Sequence, residues 1–189
     1  MNDPRRIARL TGVLWLVVIA ASVVSVVTQS NLPRLAFAAN QFSGVCYLGV
    51  TVLLYQLFQP VDTSISLFAA FCGLAGVASG AAISLVRSDP PAQGFYIAMV
   101  FFGAQIISIG YLIIRSTLVP RILGVLLLLG GSSYVINSFT NFLAPAMGAH
   151  VAPFIIPVAI LGEGALTLWL IVKGVNVARG EQQGGSAAA

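Results

Sequence analysis

The stretch LTGVLWLVVIAASVVSVVTQ, Leu10 to Gln29, runs for twenty residues without a formal charge. Twenty residues of helix rise about 30 Å, the thickness of a bilayer's hydrocarbon core, so a run of this kind reads as a membrane span rather than a piece of soluble core. Five more apolar runs follow, at residues 42–59, 65–86, 94–114, 119–142 and 152–172, each dense in Leu, Val, Ile, Phe, Ala and Gly. In lipid the backbone must satisfy its own hydrogen bonds, and the strict alternation needed for a transmembrane barrel is missing from these runs. The expected fold is therefore all-α: a polytopic bundle of six transmembrane helices, with residues 1–179 as one membrane domain. The tail from Gly180 through Glu181, Gln182 and Gln183 to Ala189 is of low complexity and is expected to be disordered.

Composition agrees. The 189 residues are 58% hydrophobic and 7% charged, against about 25% charged in an ordinary soluble domain. The formal charge of +4 is carried by cations scattered singly rather than striped along one face, which argues against nucleic acid as a partner. Cys46 and Cys72 fall in different spans and give neither a disulfide nor a metal site.

The basic residues orient the chain. With the amino terminus cytoplasmic, Arg5, Arg6, Arg9, Arg115, Arg121, Lys173 and Arg179 lie inside, and only Arg34 and Arg87 lie outside. Both termini are expected inside, in a multi-pass protein of the cell membrane. Trp15, Tyr55, Tyr111 and Trp169 then fall towards the inner interface, and Tyr47 and Tyr96 towards the outer one. A secretory signal competes for the first run, since Arg5 and Arg6 precede it and Ala36-Phe37-Ala38 resembles a cleavage site. The run exceeds the usual 7 to 15 residues of a signal's apolar region, and Pro33 with Arg34 reads as an ordinary loop.

One residue breaks the apolar pattern deep inside a span: Glu163, within Ala159-Ile160-Leu161-Gly162-Glu163-Gly164-Ala165-Leu166. A mid-bilayer charge costs roughly 2.5 to 3.5 kcal/mol on insertion scales, so this carboxyl must be protonated, paired or turned to a polar cavity. Pro157, about two turns earlier, is expected to kink the helix. Gln105, Thr51, Ser79, Ser132 and Ser133 fall at similar depth, a candidate polar layer, with Gln105 or a freed carbonyl as the expected partner of Glu163. Asn137 and Asn141 follow Gly130 and Tyr134 as a polar stripe on the outer half of the fifth span. His150, the only histidine, is expected in an outer loop. In the third span Ala69, Gly73, Gly76, Gly80 and Ser84 leave one face nearly bare, a surface for close packing within the bundle first and against a second copy second. Arg115 and Arg121 flank an inner loop, as orientation signals first and as grips for an anionic headgroup second.

Several separate motifs, in order, also carry a resemblance. They are Arg6-Ile7-Ala8-Arg9-Leu10-Thr11-Gly12, Leu54-Tyr55 before Pro60-Val61, Phe101-Phe102-Gly103-Ala104-Gln105 through Gly110-Tyr111-Leu112-Ile113-Ile114-Arg115-Ser116, Leu118-Val119-Pro120-Arg121-Ile122-Leu123-Gly124, and Gly162-Glu163 before Leu168-Trp169-Leu170-Ile171-Val172-Lys173. Together they resemble the prokaryotic membrane family of domain of unknown function 4386. The resemblance implies the membrane architecture and no activity. It also implies that this chain departs from relatives that often carry a His at Gln105, an Asp at Asn137 and polar residues at Gly73 and Gly76, and that the loop from Arg87 to Gln93 is short for the family.

Catalysis is the least supported class. A single histidine, no paired intramembrane carboxylates and no Ser-His or Cys-His pair at matching depth leave proteolysis, metal hydrolysis and acyl transfer without their groups. No cofactor or metal is called for. The expectation is a non-catalytic bundle with a structural or regulatory role; the alternative is a transporter or binder of a small molecule, lipid or proton at Glu163. The partners are membrane lipids, with a small apolar or cationic ligand or a second copy of the chain as further readings.

Overall fold

The computed structural model describes residues 3–85 and 92–176. It is built of six helices: α1 (Pro4–Thr28), α2 (Pro33–Phe58), α3 (Thr63–Leu85), α4 (Ala92–Arg115), α5 (Arg121–Leu143) and α6 (Pro145–Val172). Among the described residues there is no strand. The first five helices are long and apolar enough to cross a membrane, and α6 contributes a shorter apolar stretch, Pro157–Val172. The expected tail at 180–189 and the residues between α3 and α4, 86–91, lie outside the described residues.

Three helices start upstream of the apolar runs, because hydropathy marks the lipid-compatible part of a helix and not its cap. α1, α2 and α6 each begin with Pro at the first position, where a missing N–H costs nothing. Asp3 completes the first cap by accepting the Arg5 N–H at 3.0 Å, and Asp62 does the same for Ile65 at the start of α3. Pro33 and Arg34, expected in a loop, are thus the first turn of α2. His150, also expected in a loop, is inside α6 with Nδ1 2.7 Å from the Ala146 carbonyl oxygen. Pro153 and Pro157 both lie within α6, and the helix runs through them.

Each helix packs on its neighbours in the chain, and α6 closes the ring against α1. Large apolar side chains face outward on every helix, among them Val26, Val45, Phe71, Phe95, Ile122 and Phe154. Inside lie Trp15, Leu54, Phe58, Ile106, Leu112, Ile113, Leu127 and Leu166, all under 2% exposed. Such an apolar exterior is far larger than a water-soluble monomer carries, and it fits a lipid solvent.

α4 and α5 approach each other closely at two pairs of facing glycines. A Cβ on Gly103 would stand 2.8 Å from the Gly131 carbonyl oxygen, and one on Gly131 would stand 2.7 Å from that of Gly103; Gly110 and Gly124 face each other the same way at 2.8 and 2.7 Å. Both pairs are seven residues apart on each helix, so two turns of antiparallel backbone lie in direct contact. Packing and short backbone contacts drive helix association in lipid, where burial of apolar surface contributes little.

Gly131→Ala is therefore expected to force α4 and α5 apart and lower stability by about 1 to 3 kcal/mol, because the obstructing atom is backbone. Gly164→Ala, where a Cβ meets nothing within 4 Å, is expected to be neutral or stabilising by up to about 1 kcal/mol. Thermal unfolding in detergent, followed by circular dichroism, checks both.

Candidate functional site: a polar core

Hydroxyls on apolar helices normally turn back to their own backbone. Thr11, Ser108, Ser133, Ser138 and Thr140 each donate to the carbonyl four residues earlier, at 2.7 to 2.8 Å. Ser133, expected in the mid-depth polar layer, is satisfied in this way by Leu129.

The side chains that bond across helices form two groups. In the first, the Tyr47 hydroxyl on α2 donates to Gln105 Oε1 on α4 at 2.9 Å, and Gln105 Nε2 donates to Thr51 Oγ1 at 3.2 Å. All three residues are buried, Gln105 at 1% exposed. Tyr47 and Thr51 sit four residues apart, hence on one face of α2. Gly73 on α3 makes room for them: a Cβ there would lie 2.6 Å from Gln105 Nε2 and 2.7 Å from Thr51 Oγ1. Gly76, one turn on, holds the Phe102 ring, which packs edge-on against Tyr47 at 4.9 Å between centroids. Gly80 lies in ordinary contact with Ala98 at 3.9 Å. In the described structure the bare face of α3 is thus covered by α2 and α4.

In the second group, the Tyr134 hydroxyl on α5 donates to Glu163 Oε1 on α6 at 2.7 Å. Gln105, expected as the partner of Glu163, is instead taken by Tyr47 and Thr51. Glu163 is half-buried, whereas Trp15 beside it is fully buried. The Trp15 indole N–H lies alongside the Glu163 carboxyl, near enough to interact with it, yet in no hydrogen bond of acceptable geometry. Thr167, one turn along α6 from Glu163, is likewise buried with its hydroxyl unpartnered. Trp15 also meets Tyr47 edge-on, with centroids 6.4 Å apart, and Tyr47 is within electrostatic reach of Glu163. The two groups therefore adjoin through the Trp15 and Tyr47 rings.

Asn137 does not join either group. It is buried, and its side-chain oxygen and carbonyl both accept from Asn141 Nδ2, at 3.3 and 2.8 Å. The Asn141 amide in turn fills the space over Gly148, tying the far end of α5 to the start of α6.

Sequence reading missed Trp15, Tyr47 and Tyr134 as core residues. Aromatic side chains near the ends of an apolar run look interfacial, but Trp15 and Tyr47 begin well inside α1 and α2 once Pro4 and Pro33 are recognised as the helix starts. Among the described residues no group of three or more His, Cys, Asp or Glu is placed to hold a metal ion, and both cysteines are free.

Gly73→Ala is expected to push the Gln105 amide off Thr51 and cost about 1 to 3 kcal/mol, more than the same change at Gly80. Thermal melts of the two variants in detergent give the comparison.

No solved structure matches this chain. An archaeal protein from Archaeoglobus fulgidus, itself described as uncharacterised, is 26% identical over 159 residues, covering 81% of this chain and 93% of that relative. A family described as a domain of unknown function, DUF4386, matches residues 79–174, a window that contains Gln105, Tyr134 and Glu163 and the paired glycines of α4 and α5. The match spans about half the sequence, from the end of α3 through α6, and on that ground the chain belongs to the DUF4386 family.

Proposed function

We propose that this protein is a multi-pass protein of the cell membrane, with six spans and both termini on the cytoplasmic side, whose role is structural or regulatory rather than catalytic. The observation that carries the role is that the interior polar groups bond to one another across helices. Tyr47, Gln105 and Thr51 join α2 to α4, and Tyr134 with Glu163 joins α5 to α6. A centre organised this way fixes helix register, the use that buried polar groups in membranes serve best. The orientation is supported by charge. Arg5, Arg6, Arg9, Arg115, Arg121 and Lys173 belong to the end where α1 and α5 begin and α4 and α6 finish, while Arg34 stands at the other.

The carboxyl and hydroxyl are tested by a double-mutant cycle of Glu163→Leu and Tyr134→Phe. A coupling of about 0.6 to 1.7 kcal/mol is expected, the range of interhelical hydrogen bonds in membranes; no coupling would remove the latch. A fluorescent protein fused to the carboxy terminus should fold and fluoresce, and alkaline phosphatase fused there should stay inactive. The opposite pair of results reverses the orientation.

A second reading rests on Glu163 itself, a half-buried carboxyl bonded to Tyr134 and lying among aromatic side chains. An acid at that place amid aromatic rings supports a small cationic ligand. Glu163→Gln keeps an acceptor for Tyr134 but removes the charge. On this reading it abolishes binding of tetraphenylphosphonium, measured by Trp15 fluorescence, while leaving the melting temperature within a few degrees; a wild-type protein that does not bind the cation rules this reading out.

A further inference from the structure

The end of the bundle where α1 and α5 begin carries a cavity of about 710 Å³. Four cations from three segments line it: Arg5 and Arg9 from α1, Arg121 from the first turn of α5, and Lys173 from the end of α6. No carboxylate is among the described lining residues, and Asp3 is bonded to the Arg5 N–H. Four like charges around one recess repel each other unless an anion lies among them. Two further features favour an anion. No side chain caps the start of α5, so its first free N–H groups and the positive end of its dipole remain available beside Arg121. Trp169, an amphipathic ring of the kind found at the lipid headgroup level, forms part of the wall.

The recess is shaped by specific backbone contacts. Gly174, the only described residue with positive φ, at 67°, ends α6 and turns its N–H back to the Trp169 carbonyl. That turn sends the chain across to the α4–α5 loop, where the Asn176 N–H donates to the Leu118 carbonyl at 3.0 Å. Arg115, at the end of α4, takes no part, since its guanidinium bonds to and stacks over Tyr111 on its own helix.

We propose that this recess binds a phosphate group, held between Arg5, Arg9, Arg121 and Lys173 at the start of α5. Its volume is in the range of small-molecule sites and accepts a whole phosphoglycerol headgroup as well as a free phosphate ion. The site is independent of whether the polar core at Glu163 binds a ligand.

The test titrates phosphatidylglycerol, phosphatidylcholine and inorganic phosphate separately into the full-length protein in a neutral detergent, reading the rise in melting temperature. Phosphatidylglycerol is expected to stabilise and phosphatidylcholine not. The double variant R9Q/R121Q should weaken the apparent affinity about 30-fold, from roughly 1 kcal/mol for each basic residue. R6Q/R115Q, with the same loss of charge outside the recess, should change it far less. If inorganic phosphate stabilises and competes with the lipid, the natural ligand is a soluble phosphate; if it does neither while the lipid stabilises, the ligand is a headgroup. Stabilisation by neither anion overturns the site, as does an equal loss in the two double variants. Should R9Q/R121Q fail to fold, K173Q on the exposed end of α6 is read in its place, where about a fivefold loss is expected and no change overturns the proposal.

Discussion

A polar group buried where water does not reach must find its partner in the protein, and the interior of this bundle is arranged around that requirement. Most hydroxyls meet it within their own helix, as Ser133 and Ser138 do, and so place no demand on the tertiary structure. Tyr47, Gln105, Tyr134 and Glu163 cannot, because their polar atoms stand too far from their own backbone. Each therefore fixes the position of a second helix. Gln105 is the extreme case: its amide needs both an acceptor and a donor at one depth, and it finds them in Thr51 and Tyr47 on the same face of α2.

That arrangement depends on what is missing from α3. The Gln105 amide reaches across to α2 only because Gly73 has no side chain, and the Phe102 ring reaches Tyr47 only because Gly76 has none. The small-residue face and the polar network are one feature seen from two helices. Between α4 and α5 the same device serves another purpose, since Gly103 with Gly131 and Gly110 with Gly124 bring backbone onto backbone with no polar group between them. α4 is thus held on one side by directional bonds and on the other by close contact, which fits the near-complete burial of its inner residues Ile106, Ile109, Leu112 and Ile113.

The helical class, the apolar runs and the position of Glu163 were legible in the sequence, because hydropathy and charge are properties of single residues summed over a window. Gln105 and Thr51 could be placed at one depth by counting from the ends of their runs. Their bond could not be distinguished from one between Gln105 and Glu163, since depth says nothing of which helices are neighbours. The partner of Glu163 proved to be Tyr134, which in sequence looked like part of a stripe with Asn137 and Asn141. Trp15 and Tyr47, read towards opposite interfaces, instead meet edge-on inside the bundle, because which face of a helix turns inward decides their neighbours and hydropathy does not show it. The basic recess was illegible as a site, although Arg121 was noted, because Arg5, Arg9 and Lys173 meet it only when α6 ends beside the start of α1.

That last contact matters to both sites. The surroundings of Glu163 combine α5 and α6 with Trp15 from α1, and the basic recess combines the α4–α5 loop and α6 with Arg5 and Arg9 from α1. Most other helix contacts are between neighbours in sequence, with α2 against α4 the exception, but α1 against α6 joins the two ends of the chain and bears the largest loop-closure cost. Gly12 allows it, lying so close to α6 that a Cβ there would stand 2.8 Å from the Ile171 side chain and 2.9 Å from its backbone nitrogen. Both places therefore depend on one helix interface, although they share no side chain.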